Sequence, residues 1–113
     1  MNQRIRKHRA FLHFLLYANS VQQKLIVKSL TSEQIDVISE IALNIYTGTY
    51  PLTKKYINQL RSYQSYIRSL GSREISSKVK RGILLKHLQL VSLLLKPIVQ
   101  HMDKNGKRND TRA

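Results

Sequence analysis

In the central part of the chain, apolar residues recur among polar ones at the spacing of a helix. Between residues 31 and 48 the apolar positions recur every three or four residues, with further apolar residues beside them that widen the stripe. The recurring positions are Ile35, Ile38, Ala42 and Ile45. Thr31 and Gln34 have the spacing of a capping box at the start, and Gly48 supplies the positive φ that a helix stop usually needs. The width of the stripe predicts a helix at the centre of the core.

A second helix is predicted after a turn at Pro51, with Thr53 as its cap. Its apolar face comprises Ile57, Leu60, Tyr63, Ile67 and Leu70. On another side, cations recur every seven residues and stand about 10 Å apart, namely Lys54, Arg61 and Arg68. No acidic residue interrupts this helix before Gly71 ends it. The two helices are therefore predicted to form a hairpin with one basic side.

Residues 2–19 combine a basic start with a mostly apolar run. We interpret them as an amphipathic helix that packs four apolar side chains inward, namely Phe11, Leu12, Leu15 and Leu16. A secretory signal peptide has a similar layout, but Leu16 is large where a cut after Ala18 requires a small residue. A helix that touches a membrane surface is a further alternative.

Residues 20–30 predict a second, short helix that Ser20 can cap. Its buried side is predicted to comprise Val21, Leu25, Ile26 and Leu30.

The most regular apolar pattern lies near the C-terminus, with spacings of 4, 3, 4, 3 and 4. Its members are Leu84, Leu88, Val91, Leu95, Ile98 and Met102. We favour a helix that closes the core, and the alternative is a protein–protein interface formed by the first five of these residues. Pro97 must kink or end the helix because it cannot donate to the carbonyl of Leu93. Lys86 and Lys96 leave only nine uncharged residues between them, too few for a membrane span.

These patterns predict an all-α protein, a compact bundle of about five helices in one domain over residues 1–102. Residues 103–113, DKNGKRNDTRA, have no apolar face to pack and are predicted to form a disordered basic tail. A chain of 113 residues can bury roughly two thirds of its unfolded surface as one domain. It contains no cysteine, which excludes disulfides and thiolate metal sites.

The charge is strongly unbalanced, with 20 Lys and Arg against 6 Asp and Glu and a net charge of +14. Residues 53–96 hold ten cations and one acid, Glu74, and residues 1–28 hold six cations and no acid. Because such an excess repels itself in a folded chain, a polyanionic partner is the usual reason for carrying it. We therefore expect a basic surface that binds nucleic acid.

The candidate nucleic-acid-binding residues form three groups of cations. Those on the basic helix are Lys54, Lys55, Arg61 and Arg68. The following segment is rich in serine, whose hydroxyls can also donate to phosphate, and its cations are Arg73, Lys78, Lys80 and Arg81. An N-terminal arm adds Arg4, Arg6, Lys7 and Arg9. For each group the alternative is an ordinary solvated helix face or linker.

Three tyrosines on or beside the basic helix, Tyr56, Tyr63 and Tyr66, can in principle stack on unpaired bases. Tyr63 falls on the apolar stripe and is assigned to the core, which leaves Tyr56 and Tyr66 as candidates.

No catalytic or metal-binding constellation stands out. The four histidines have no spacing that puts two on one helical turn beside a carboxylate. A glycine-rich phosphate loop, a nucleophile elbow and a paired-carboxylate motif are also absent from the sequence. The chain is therefore predicted not to be an enzyme and to use no metal or cofactor.

Three segments resemble a small basic protein of Polinton/Maverick elements and the related adintoviruses, namely SEQIDVISEIALNIYTGTYPLT, SYIRSLGSREIS and KVKRGILL. In that family a helix ends in an asparagine and a glycine, here Asn44 and Gly48. A proline–leucine turn follows, here Pro51 and Leu52, and then a basic helix, a serine turn and a second basic run. The resemblance covers about Leu25–Leu85. It implies a virus or transposon product that is packaged with or acts on double-stranded DNA, in the host nucleus or virion, and is not secreted.

Relatives often carry a glycine-rich apolar segment after the second basic run, which has invited comparison with the adenovirus core protein X. The corresponding segment here reads KHLQLVSLLLKPIV and contains no paired glycines. The analogy with a core peptide or a membrane-active peptide is therefore not carried over to this chain.

The leading expectation is a non-enzymatic nucleic-acid-binding or DNA-condensing protein that contacts phosphates largely without sequence readout. The alternative is a structural or assembly protein that uses the leucine-rich C-terminal helix as its interface, for instance in a homo-oligomer. A membrane-surface protein is the least favoured of the three. A helix-turn-helix reader is a variant of the first, but no distinctive base-reading cluster opens a recognition helix here.

Overall fold

The computed structural model describes residues 3–112, with side chains described for 3–104, and all regular structure in that part of the chain is helical. The helices are α1 (Gln3–Lys7), α2 (Arg9–Tyr17), α3 (Ser20–Lys28), α4 (Ser32–Tyr46), α5 (Lys54–Leu60), a 3₁₀ turn (Arg61–Tyr63), α6 (Gln64–Gly71), α7 (Ser77–Lys86) and α8 (Leu88–Arg112). The predicted all-α class and compact shape are confirmed. The number of helices exceeds the predicted five or so.

The additional helices arise from three breaks inside predicted helices. His8 separates α1 from α2 with φ −101° and ψ 19°, and the 3₁₀ turn at Arg61–Tyr63 divides the basic helix. His87, with φ −130° and ψ 64°, separates α7 from α8, whose axes meet at 99°. None of these residues is a proline or glycine, so the usual breaker signals were missing.

Most predicted helix ends are confirmed by their hydrogen bonds. The Thr31 hydroxyl accepts from the backbone N–H of Gln34 at 3.1 Å, and the Gln34 side chain accepts from the Thr31 N–H at 2.9 Å. Gly48 has φ 75°, and Thr53 caps α5. The cap of α3 is Asn19 rather than the predicted Ser20.

Helix α4 lies at the centre of the bundle, as predicted. Five of its side chains are buried, namely Ile35, Val37, Ile38, Ile41 and Ala42, and the helix packs on α1, α6, α7 and α8. Its approach to α6 is close, because a Cβ added at Gly71 would lie 3.0 Å from the Cα of Leu43. The hairpin of α4 and α6 therefore depends on a glycine at the point of contact.

The predicted apolar stripe of the C-terminal helix lies inside this chain's own core. Leu84, Val91, Leu95 and Ile98 are at most 1% exposed, whereas Leu88 is partly buried. These contacts are those of a helix that closes the core. Leu84 lies on α7 and the other three lie on α8, so an interface with another chain through these four residues would require both helices to leave the bundle.

The predicted buried side of α3 is wrong in part. Val21 is 70% exposed and Leu25 is 61% exposed, while Val27 and the polar Gln23 are buried. Burial of Gln23 is tolerated because its amide donates to the Leu15 carbonyl at 3.0 Å and to the Ser92 hydroxyl at 3.1 Å.

Helix α8 does not end at Pro97. The carbonyl of Leu93, which Pro97 cannot satisfy, accepts a hydrogen bond from the Tyr56 hydroxyl instead. The predicted disordered tail begins within this helix, and its Asp103 forms an ion pair with Arg9. Side chains 105–113 lie outside the described residues.

Within the described residues, no helix by itself combines the length and hydropathy of a membrane span. Among the described residues, α7 and residues 88–104 of α8 reach that length and hydropathy only when they are counted together, and their axes are bent by 99°.

Candidate nucleic-acid interface

Two cations of the predicted N-terminal arm are engaged in ion pairs. Arg4 Nη2 lies 3.4 Å from Asp36 Oδ2, and Arg9 Nη2 lies 3.1 Å from Asp103 Oδ1. The arginine side chains remain about half exposed, so these pairs are weak in water. The arm is therefore part of the folded body rather than a separate segment, and only Arg6 and Lys7 in it are described without an ion pair.

Lys80 is a buried cation, not a surface one. It is only 6% exposed, and its ammonium group donates to the Ser39 hydroxyl at 3.0 Å. Burial lowers the pKa of Lys80, and the nearby Asp36 carboxylate opposes that shift. We therefore remove Lys80 from the candidate phosphate contacts.

The pairing of Lys80 with Ser39 does not create an activated nucleophile. The Ser39 hydroxyl donates its proton to the carbonyl of Ile35 at 2.9 Å, so its oxygen serves as an acceptor for Lys80. A catalytic pair would require the reverse direction, with the serine donating to the amine. Among the described residues, no cluster of His, Asp and Glu could hold a metal ion either.

Arg81 stabilises the end of helix α3. One guanidinium nitrogen, Nη1, donates to the carbonyls of Leu30 at 2.8 Å, Lys28 at 3.0 Å and Val27 at 3.4 Å. These carbonyls include ones that the end of a helix leaves without intrahelical partners, and a cation there also interacts favourably with the helix dipole. The guanidinium is committed to the backbone, and we remove Arg81 from the candidate contacts too.

The remaining predicted cations are exposed to solvent, namely Arg6, Lys7, Lys54, Lys55, Arg61, Arg68, Arg73 and Lys78. Two of them, Arg61 and Arg68, line one open groove of about 670 Å³ beside α6. The other lining residues are Tyr46, Ser62, Gln64, Ser65, Ser69, Ser72 and Ile75. We call this the arginine–serine groove.

The composition of the arginine–serine groove suits an anion. Two arginines and four serines line it, and among the described residues no Asp or Glu does. Arginine presents several N–H donors in a planar fork that matches phosphate oxygens, and hydroxyls can donate further hydrogen bonds. Arg61 is held in place by a hydrogen bond from Nη2 to Asn58 Oδ1 at 3.2 Å.

A neighbouring cleft has mixed charge. It is lined by Arg4, Arg73 and Lys80 together with the acids Asp36 and Glu40, so its field is partly neutralised. Ile75 lines both this cleft and the arginine–serine groove. Arg73 lines the mixed-charge cleft, and Ser72, its neighbour in the chain, lines the arginine–serine groove.

An apolar groove of about 370 Å³ adjoins the arginine–serine groove. Its aliphatic lining comprises Ile45, Leu52, Ile57, Leu60 and Ile67. Three residues line both grooves: Tyr46, Arg61 and Gln64. Two of the apolar side chains at this place are unusually exposed, Ile57 at 48% and Tyr46 at 44%.

The two candidate stacking tyrosines, Tyr56 and Tyr66, have other partners. Tyr56 is partly buried and its hydroxyl donates to the Leu93 carbonyl. Tyr63, which was predicted to belong to the core, packs against it with its hydroxyl 3.4 Å from the side chain of Gln89. Tyr66 is 36% exposed and its ring centroid lies 4.2 Å from that of His87. The aromatic residue that does line the grooves is Tyr46, which the sequence did not single out.

The serines of the groove share a regular spacing in the sequence. Ser62, Ser65, Ser69 and Ser72 are spaced 3, 4 and 3 residues apart, which places them on one face of a helix. Tyr46 had no such signal, because it lies on α4 and reaches the groove only through the packing of α4 against α6.

The chain matches no family model, and comparison with curated proteins and with solved structures finds no similar protein.

Proposed function

We propose that this chain is a non-enzymatic protein that binds nucleic acid through its phosphates, largely without reading sequence. The observation that carries the proposal is the arginine–serine groove, which Arg61, Arg68 and four serines line, with no acid among the described residues. The net charge of +14 supports it, because a folded chain with that excess attracts polyanions. Duplex DNA, in a virion or in the host nucleus, is the partner that the family resemblance implies.

Binding begins with the two arginines of the groove, which take adjacent phosphates while the serines donate to their oxygens. Lys54 and Lys55 extend the positive surface towards the start of α5, and Arg73 and Lys78 extend it beyond α6. Each cation that neutralises a phosphate releases counterions from the nucleic acid. The affinity is therefore expected to depend on salt and hardly on sequence.

The test is a salt titration of the affinity for duplex DNA. If about five cations take part, log K falls against log salt with a slope of roughly −4 to −5. Replacing Arg61 and Arg68 together by Gln should make that slope shallower by about 2. The matched control replaces Lys24 and Lys28, two exposed cations on α3, and should change the slope much less. A wild-type slope shallower than about −1 would contradict the proposal.

A second candidate function is contact with an anionic membrane surface. The outer sides of α2 and α3 expose four large apolar side chains, Phe14, Tyr17, Val21 and Leu25, at 60–70% each. Lys24 and Lys28 are exposed on the same short helix as two of them, and neither helix contains an acid. Apolar residues flanked by cations bind anionic lipid more tightly than neutral lipid.

Vesicle flotation distinguishes this second candidate from nucleic-acid binding. The chain should float with phosphatidylserine-containing vesicles, and replacing Phe14 and Val21 by Ser should abolish flotation. If the chain remains unbound to anionic vesicles in dilute buffer, membrane contact is excluded while the nucleic-acid proposal stands.

A further inference from the structure

We propose that the apolar groove receives unpaired bases, so that the two adjoining grooves form one site for single-stranded nucleic acid. This inference rests on the proposed binding of phosphates and deepens it, because it names the form of nucleic acid that the site prefers. That form is the single strand and not the duplex that the family resemblance implies. Phosphates lie in the arginine–serine groove, and the bases of the same strand enter the apolar groove beside it.

The two grooves share a boundary. Tyr46, Arg61 and Gln64 line both of them, so a ligand that lies over this boundary can contact both grooves. One half is lined by guanidinium and hydroxyl groups, and the other by aliphatic side chains. The ligand that fits must therefore carry negative charge and a flat apolar surface within a few bonds of each other, as a nucleotide does.

The accessibility of the base faces differs between duplex and single-stranded nucleic acid. In a duplex the faces of the bases are stacked on one another, and only their polar edges are accessible in the grooves. An apolar groove gains nothing from those edges. In a single strand the base faces are free to pack on apolar and aromatic side chains. The apolar half thus adds affinity for unpaired nucleotides alone.

The residues shared by the two grooves can serve both parts of a nucleotide. The guanidinium of Arg61 can pair with phosphate or lie flat against a base, and the exposed ring of Tyr46 offers a stacking surface. The amide of Gln64 can donate to or accept from a base edge. One amide is too little to distinguish one base from another. The site is therefore expected to prefer single strands over duplexes without preferring a particular base sequence.

An acidic amphipathic peptide is the competing occupant, since it too combines negative charge with apolar side chains. The relative sizes of the two grooves favour the nucleotide. The charged groove is the larger, about 670 Å³ against about 370 Å³ for the apolar groove. A nucleic-acid strand carries a charge at every nucleotide, whereas an amphipathic helix binds mainly through its apolar face and needs the larger groove to be apolar.

The test compares a fluorescent 12-nucleotide single strand with a 12-base-pair hairpin duplex at the same salt concentration. The wild-type chain should bind the single strand at least five times more tightly. Tyr46→Ala should weaken single-strand binding about tenfold, the usual effect of losing one stacking contact. Ile57→Ser should weaken it about fivefold, because an aliphatic side chain no longer packs on the base. Both variants should leave duplex binding within twofold. Tyr46→Phe should retain the wild-type affinity because the ring is kept.

Val21→Ser is the matched control, since Val21 is an apolar residue 70% exposed on α3, and it should change neither affinity. Both groove residues are exposed, so their variants should fold normally, and circular dichroism checks this. Equal affinities of the wild type for the two forms, or equal losses for both in the variants, would overturn the inference and leave the proposed function standing. Displacement by an acidic amphipathic peptide with no single-strand preference would also overturn it. Failure to bind either form in dilute buffer would instead refute the proposed function.

Discussion

The hydroxyl of Tyr56, on α5, donates a hydrogen bond to the backbone carbonyl of Leu93, on α8. That carbonyl is the one left without a helical partner by Pro97, which has no N–H. One turn later, the Tyr50 hydroxyl donates to the carbonyl of Pro97 itself at 3.1 Å. Two tyrosines, one in the turn after α4 and one on α5, therefore bind the hairpin to α8 at Pro97.

The first prediction concerns this bond and is tested by a double-mutant cycle. Tyr56→Phe should lower the free energy of unfolding by about 1–3 kcal/mol, because it leaves the Leu93 carbonyl unsatisfied. Pro97→Ala restores an N–H that can bond that carbonyl within the helix. In the Pro97→Ala background, Tyr56→Phe should therefore cost clearly less. Chemical denaturation measures all four proteins, and an equal cost in both backgrounds would show that the bond does not replace the missing helical one.

The second prediction follows from the pKa of Tyr56, which burial raises to about 12 from its usual value of 10.0. The unfolded chain loses this proton near pH 10 and the folded chain only near pH 12, so the folded state holds more protons in between. The contribution of Tyr56 to stability is thus complete below pH 10 and is lost as the pH rises through about 12. The stability difference between wild type and Tyr56→Phe should shrink over this range.

The comparison with Tyr56→Phe also controls for Lys80, whose pKa is shifted in the opposite direction. Burial lowers the pKa of Lys80 from its usual value of 10.5, so its contribution has the opposite sign and stability rises as the pH approaches that value. Both proteins contain Lys80, and its effect cancels in the difference. A difference that stays constant from pH 8 to 12 would contradict the assignment to Tyr56.

Much of the fold could be predicted because its signals are local. The Thr31–Gln34 capping box and the positive φ of Gly48 involve neighbouring residues, and the width of the apolar stripe placed α4 correctly. The face of α3 could not be predicted in the same way. Gln23 is buried because Ser92, 69 residues away, accepts a hydrogen bond from it, and no pattern within α3 contains that information.

The candidate site was likewise predictable where its pattern is local and not where distant residues decide a side chain's contacts. The stripe of Arg61 and Arg68 was visible in the sequence, and the structure places both in one groove. Lys80 and Arg81 carry the same charge, but they form hydrogen bonds within the protein, to Ser39 and to the end of α3. The sequence does not show this because these partners are 41 or more residues distant in the chain. Composition identifies cations, and only packing shows which of them face solvent.

The third prediction separates structural from binding cations on α7. Arg81→Met should lower the free energy of unfolding by about 1.5–3 kcal/mol, since three backbone carbonyls lose a charged donor. Lys78→Met, an exposed position on the same helix, should change stability by no more than about 0.5 kcal/mol. Under folding conditions, however, Lys78→Met should make the salt slope of DNA binding shallower by about 1. Thermal or chemical unfolding and a salt titration of both variants check this, and the reverse assignment of effects would contradict it.

The fourth prediction concerns the close contact of α4 with α6. A Cβ at Gly71 would meet the Cα, N and Cβ of Leu43 at 3.0, 3.1 and 3.2 Å, and backbone within the central helix cannot yield without shifting the core. Gly71→Ala should therefore cost about 1–3 kcal/mol of stability. Gly82→Ala is the matched control, because among the described residues no atom lies within 4 Å of its added Cβ. There the loss of backbone freedom in the unfolded chain should raise stability by about 0.4–1 kcal/mol. Opposite signs at two helical glycines, read from denaturant midpoints, would establish that contact with α4 decides the effect at Gly71; two stabilising substitutions would rule that out.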